Sequence, residues 1–245
     1  MKLFASCDPK YLNVHAPALV ASAACAGNNL HLHVIDPTKS DLAFLEYLRE
    51  RYNKISGSGL FAWSIGKPFV NLSGDEQSLN NWPDAQRTMF ACDRFVTVVS
   101  LMEAEPDEDF LIIDTDCLIM KHIEKPDDDQ VGLFLREPLP QTQGWENQGT
   151  RVAAGVVYYS NEAIDFARNV MYRIKHGPYN WFLDQVALNE IYQKELSNYR
   201  FHYFDEKFMD WEFIEGTTIW TGKGPRKYDN PTYVSKKNEF DRMIR

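Results

Sequence analysis

Apolar and polar positions alternate in blocks along this chain, and the blocks predict a series of strands and helices. Residues 2–6 form a short apolar strand that ends in the turn Cys7-Asp8-Pro9-Lys10. The alanine-rich residues 11–26 read as a helix closed by Gly27-Asn28-Asn29. Pro17 lies inside it, which suits a helix proper that begins near that proline. Residues 30–35 read as a second strand, ending at Asp36-Pro37. Leu42, Leu45, Leu48 and Tyr52 recur at the 3.6-residue period, so residues 40–52 read as a helix with Ser40 as N-cap. Strand, helix, strand, helix from the first residue predicts a right-handed βαβ start and an α/β sheet.

Residues 55–83 are rich in Gly, Ser and Asn and read as loop with a short strand near 60–64, longer than a plain connection needs. A helix over residues 84–101 carries Arg87 and Arg94. Further strands are expected at 131–136 and 152–160, the second with Gly155 inside it, where glycine often marks close approach of a ligand. The polar loop 137–150 lies between them. Helices follow at 161–175, with Asn161 as cap, and at 181–196, then short strands at 201–204 and 217–221. No repeat or linker is visible, so residues 1–245 read as one domain.

The stretch Phe110-Leu111-Ile112-Ile113-Asp114-Thr115-Asp116-Cys117-Leu118-Ile119 organises the candidate chemistry. A continuous apolar run bounded by acidic residues reads as a strand buried on both faces. Ligands of parallel sheets sit outside the carboxyl ends of such strands. Two carboxylates of one sign held there repel unless they share a proton or a cation. Mg²⁺ typically uses one or two carboxylates together with substrate phosphates. A metal–diphosphate site at Asp114 and Asp116 follows, although a strand ending in a solvated acidic turn has the same local sequence.

Composition narrows the partners. The net charge of -9 and a sequence pI of about 5.2 argue against a general electrostatic footprint for nucleic acid or anionic membrane. An acidic chain that binds a diphosphate needs a local cation or a local basic cluster. Cys7, Cys25, Cys92 and Cys117 have neither zinc spacing nor the density of a disulfide framework, which suggests a reducing, cytoplasmic setting. No signal peptide and no apolar run of spanning length is apparent.

Other groupings add candidates. Asp8 and Tyr11 fall at the end of the first strand, where a ring can stack on a base and a carboxylate can accept from it. Lys223, Arg226 and Lys227 lie among Gly222, Gly224 and Pro225, a pattern that suits a phosphate or a solvated basic loop. Asp184 and Gln185 open a helix, where an acid also favours the helix dipole. His31 and His33 share a strand face and can pair on a metal or be satisfied in the core. No dinucleotide fingerprint, Walker loop or serine elbow is present.

Together these segments resemble the retaining nucleotide-sugar glycosyltransferases of the GT-A fold, the group containing glycogenin and bacterial lipooligosaccharide galactosyltransferases. The resemblance covers most of the chain. Residues 4–11 resemble the first strand and its base-binding turn, and residues 31–36 the second strand. Arg94 falls on the helix where the family carries an arginine that reaches the donor. Residues 110–118 look like the Asp-x-Asp strand, and Ala154-Gly155-Val156 like the family's Asn-Ala-Gly strand. Residues 182–189 resemble its Asp-Gln helix, and Gly224-Pro225-Arg226-Lys227 fits the terminal Gly-x-x-Lys clamp. Two departures stand out. Thr221 occupies the place of the family's metal-binding histidine, and Ala153 that of its strand asparagine.

The resemblance implies a mostly parallel, Rossmann-like mixed sheet flanked by helices. It implies a metal-dependent hexosyltransferase that takes a nucleoside diphosphate sugar, a UDP-sugar foremost, and transfers it with retention to a carbohydrate, lipid-linked or protein acceptor. Asp8, Tyr11, Arg94, Asp114, Ala154, Gly155, Gly224 and Lys227 would contact the donor. Asp114 and Asp116, with Thr221 in the histidine's place, would hold Mn²⁺ or Mg²⁺. Asp184 and Gln185 would act at the sugar, and loop 137–150 would cover the acceptor. Two alternatives stand beside this. One is a sugar-nucleotide binding protein without catalysis. The other is a phosphohydrolase of the haloacid dehalogenase kind, whose Asp-x-Asp continues with Gly-Thr rather than the Cys117-Leu118 found here.

Overall fold

A computed structural model of the chain describes residues 1–70, 85–137, 149–179, 182–222, 224 and 226–245. In chain order the strands are β1 (Lys2–Cys7), β2 (Asn29–Ile35), β3 (Phe61–Gly66), β4 (Phe110–Ile113), β5 (Leu118–Ile119), β6 (Val131–Leu135), β7 (Val152–Tyr159), β8 (Phe201–Phe204), β9 (Met209–Asp210) and β10 (Ile219–Trp220). The helices are α1 (Pro9–Val14), α2 (Ala16–Cys25), α3 (Lys39–Ile55), α4 (Ala85–Ala104), α5 (Ile164–His176), α6 (Leu183–Glu195), α7 (Arg226–Asp229) and α8 (Pro231–Ile244). They divide into two compact units.

The first unit comprises residues 1–67, 113–125 and 205–245. Its strands β1, β2 and β3 pair in parallel, with Phe4 opposite His31 and His31 opposite Ala62. A small second sheet has the order β5-β10-β9. Helix α2 is apolar almost all round and correspondingly buried along Ala16–Ala24. Its Ser22 hydroxyl accepts from the Ile119 amide (3.0 Å), tying β5 to the helix. The expected helix over 11–26 is two helices that break at His15. Pro17 has no N–H for the Asn13 carbonyl and its ring would strike that carbonyl, so one continuous helix cannot pass. Helix α1 starts early because Asp8 caps it and Pro9 fills its first turn.

Helix α3 begins at Lys39 rather than after Ser40. Thr38 is its N-cap and forms a capping box with Asp41. Helices α7 and α8 are not anticipated by the apolar pattern. Asn230 caps α8 through the amides of Thr232 and Tyr233, with Pro231 in the first turn. Tyr47 and Arg51 of α3 donate to the carbonyls of Ile244 and Met243, fastening the end of α8.

The second unit comprises residues 68–112 and 126–204. Its strand order is β4-β7-β6-β8, with β6 parallel to β8 and antiparallel to β7. Phe166 of α5 centres one part of its core, edge-on to Tyr159, Tyr199 and Phe201. Asn161 does not cap α5. It opens a short 3-10 turn, and its amide donates to Asp109 (2.8 Å). The apolar run 110–113 is the strand expected there, buried throughout and ending at Ile113. The Cys117 amide then closes a turn onto the Asp114 carbonyl (3.0 Å), and the chain resumes as β5.

A mostly parallel α/β arrangement is therefore present, with β6–β7 and β5–β10 pairing antiparallel. Most of the loop expected at 137–150, and residues 71–83 of the earlier loop, lie outside the described residues.

Candidate functional site

In the first unit, the turn that follows β4 carries Asp114, Thr115 and Asp116. Thr115 donates to the Ser6 carbonyl at the end of β1 (3.1 Å), which holds the turn against the first strand. Asp114 is half-buried and Asp116 is buried. One Asp116 oxygen, Oδ2, pairs with the Lys227 ammonium; both side chains are under a tenth exposed (8% and 3%). The other, Oδ1, is buried with no hydrogen-bond partner among the described residues. The Asp116 carbonyl accepts from the Tyr233 hydroxyl (2.7 Å). Burial lowers the Lys227 pKa, but the Asp116 carboxylate outweighs it and leaves the ammonium above its ordinary value.

Glycine is required beside this pair. A Cβ at Gly222 would lie 2.7 Å from Lys227 Cδ and 3.0 Å from Asp116 Cγ. Gly224 has φ +61, the left-handed region that suits glycine. Lys223 and Pro225, with the Arg226 side chain, lie outside the described residues.

Asp8 is the N-cap of α1, its Oδ1 accepting the Tyr11 amide (2.7 Å). The Tyr11 ring is 41% exposed and lies 4.8 Å from the His15 ring, one helical turn on. The Lys227 ammonium lies 5.7 Å from the Tyr11 centroid and 5.2 Å from that of Tyr228. His15 Nε2 meets the Tyr228 hydroxyl at 3.1 Å, and its Nδ1 is buried without a partner among the described residues. Burial lowers His15 to about 4, with Lys227 adding to the effect and Asp116 opposing it, so the ring is neutral at pH 7. The structure thus gathers Asp8, Tyr11, Asp116, Gly222 and Lys227. It adds His15, Tyr228 and Tyr233, which sequence reasoning missed. The i, i+4 step from Tyr11 to His15 was the available signal for one of them; Tyr233 belongs to the unanticipated α8.

The metal implied by the resemblance meets a partial donor set. Asp116 Oδ1 is a buried carboxylate oxygen without a partner among the described residues, which fits a hard cation that takes its remaining ligands from substrate phosphates. Among the described residues no three His, Cys, Asp or Glu side chains are grouped for one metal. Thr221 is buried, and its hydroxyl donates to Met209 Sδ (3.8 Å).

In the second unit, Arg94 and Asp184 form a buried pair, with Nη2 3.2 Å from Oδ2. Asp184 Oδ1 accepts the Gln185 amide (2.9 Å) at the first turn of α6, behind Phe182 at φ 64. Gln185 Oε1 accepts from Arg136 Nη2 (2.5 Å). Arg136, at the end of β6, is a further residue that the sequence did not single out. Between β6 and β7 the register steps from Leu133 opposite Val157 to Phe134 opposite Ala153. Ala154, Gly155 and Val156 fall in that step, an irregularity of the kind that re-aims side chains.

His31 Nε2 and His33 Nδ1 each meet Ser64 Oγ at 2.8 Å, a hydroxyl-centred arrangement rather than a metal pair. None of the four cysteines forms a disulfide, and Cys25 is the exposed one. No helix among the described residues is long and apolar enough to cross a membrane.

No protein-family model matches this sequence, and no curated protein matches it. Solved structures do. The galactosyltransferase LgtC, solved with donor and acceptor sugar analogues, superimposes with a TM-score of 0.61 at 14% identity, over 100% of this chain and 95% of LgtC. The bifunctional glycosyltransferase WbbM matches with a TM-score of 0.62 at 10% identity, over 98% of this chain and 49% of WbbM. GlyE of Streptococcus pneumoniae TIGR4 matches with a TM-score of 0.61 at 10% identity, over 99% of this chain and 61% of GlyE. The chain thus spans about half the length of WbbM and nearly all of LgtC. At these identities the likeness establishes the fold, and that fold is the one shared by GT-A glycosyltransferases.

Proposed function

We propose that this protein transfers a sugar from a nucleoside diphosphate sugar, a UDP-sugar foremost, to a carbohydrate, lipid-linked or protein acceptor, with retention at the anomeric carbon. The observation that carries this reading is the Asp116 carboxylate: one oxygen neutralised by Lys227, the other buried and without a partner among the described residues. A buried anion so arranged is built to meet a second positive group. Bound Mn²⁺ or Mg²⁺, held by Asp116 with Asp114, would supply neutralisation of the diphosphate. Lys227 leaves Asp116 for the departing diphosphate and stabilises its developing negative charge. Tyr11 stacks on the base, and Asp8 orients it from the adjoining cap. Ala154, Gly155 and Gly224 let the backbone approach the donor. Arg94, Asp184 and Gln185 orient the sugar hydroxyls, with Asp184 acting through its neighbours because both its oxygens are engaged.

Calorimetry with UDP, GDP and CDP, with and without Mn²⁺, tests the donor site on wild type and Asp116→Ala. UDP binding strengthened by Mn²⁺ only in wild type is expected. Equal affinity in all four conditions refutes the metal role. A second reading, a sugar-nucleotide binding protein without turnover, draws on Thr221, whose hydroxyl is turned onto Met209. UDP release from a panel of UDP-sugars and acceptors separates the two.

A further inference from the structure

The Asp184-Gln185 pair is held by two guanidinium groups, and they act on it differently. Arg94 neutralises the Asp184 carboxylate. Arg136 takes the Gln185 side-chain oxygen, with Nη2 2.5 Å from Oε1. Arginine carries only donors, so the oxygen of the amide, not its nitrogen, must face it. One of the two Oε1 lone pairs is taken by this cation, which leaves the NH2, a donor, as the part of Gln185 not drawn to Arg136. The arrangement is braced from behind. The Arg136 amide donates to the Arg151 carbonyl (2.9 Å), and Arg151 Nε donates to the Arg136 carbonyl (3.4 Å). The Arg151 amide in turn donates to Asn189 Oδ1 (3.1 Å), one turn along α6 from Gln185. The end of β6 and the start of β7 therefore grip α6 at two successive turns. Arg136 is half-buried, and its Nε is buried without a partner among the described residues.

We infer that Arg136 is a positioning residue that fixes the Gln185 amide so that this glutamine meets the sugar as a hydrogen-bond donor, through Nε2, and not through its carbonyl oxygen. The inference rests on the donor reading above and sharpens it. A carbonyl turned to the anomeric carbon would lend electron density to developing positive charge. A guanidinium on that carbonyl draws its lone pairs away. The NH2 instead suits an oxygen that carries or gains negative charge, such as a sugar hydroxyl oxygen or the oxygen of the departing group.

The test has a ligand-free arm and a ligand arm. In ¹⁵N relaxation measurements, the Gln185 side-chain amide is assigned by its disappearance in Gln185→Glu. A pinned amide should show an order parameter near that of rigid backbone, about 0.85, and should fall below about 0.6 in Arg136→Met. Arg136→Lys, which restores one donor, should recover part of the difference. Unchanged relaxation in Arg136→Met overturns the inference. The ligand arm compares UDP with UDP-galactose and UDP-glucose by calorimetry. Loss of one neutral hydrogen bond to the sugar should weaken UDP-sugar binding by roughly three- to tenfold in Arg136→Met while UDP affinity holds. Gln185→Glu keeps the grip of Arg136 but loses the NH2, so its UDP-sugar binding should fall at least as far. Gln185→Glu equal to or better than wild type in binding or turnover shows that the oxygen is the working atom and overturns the inference. Parallel loss of UDP and UDP-sugar affinity in Arg136→Met shows a general structural role and also overturns it. Wild-type protein that binds neither UDP nor the UDP-sugars removes the donor reading and the sugar contact with it, a failure distinct from any result of the relaxation arm.

Discussion

Breaking the Lys227–Asp116 pair should produce a large, partner-dependent loss of stability. Both side chains are under a tenth exposed. Asp116→Asn preserves shape but leaves a buried ammonium without its counter-ion, whose retained company is the Gly222 carbonyl at 3.4 Å and two aromatic faces. Removing one member of a buried pair costs about 3–5 kcal/mol, whereas replacing both with neutral groups is often nearly free. For a chain of this size each kcal/mol moves Tm by about 2–4 °C, so a fall of roughly 6–20 °C is expected. Lys227→Met should cost a similar amount, because Asp116 then has both oxygens unpaired. The double variant should recover most of the loss. Thermal denaturation of the four proteins by circular dichroism, with chelator present, measures the coupling. A further comparison isolates cation binding: Mn²⁺ should raise the Tm of Lys227→Met, where a bare carboxylate awaits it, and leave Asp116→Asn unmoved. Single variants that each cost less than about 1 kcal/mol and simply add would refute the reasoning.

Other outcomes follow from named contacts. Burial lowers His33 to about 4, with His31 beside it adding, and lowers His15 to about 4. Between an unfolded value near 6.5 and about 4, the unfolded chain binds the protons that the native imidazoles refuse, so stability falls as pH falls. Each histidine should contribute about 3 kcal/mol of loss by pH 4, read as a drop in urea midpoint from pH 7 to pH 4; a flat midpoint contradicts this. Gly222→Ala should lower stability by about 1–3 kcal/mol through overpacking against Lys227 and Asp116, and should weaken UDP binding; wild-type Tm and affinity together would show that the pair has room. Asn230→Ala removes both cap bonds of α8 and should cost about 1 kcal/mol in chemical denaturation, with Asn230→Asp restoring it.

Local chemistry made much of the first unit legible. Apolar blocks and the Asp-x-Asp turn are short-range features, and each appears close to its expected place. The errors have local causes too. Helix α1–α2 breaks because Pro17 cannot serve the Asn13 carbonyl, and α3 starts early because Thr38 and Asp41 cap each other. Helix α8 was missed because its buried residues, Tyr233, Phe240 and Ile244, are too widely spaced to stand out from the charged residues between them.

What the chain alone determined is the order of its elements and the residue types at its turns, because φ/ψ preference, capping and hydrophobic period act within a few residues. Tertiary structure decided which of those residues meet. Asp116 and Lys227 are separated by 111 positions, and Arg136 and Gln185 by 49. No periodicity encodes such pairings. They exist because packing excludes water from the charges and amides involved, and a buried polar group holds its place only by finding a partner.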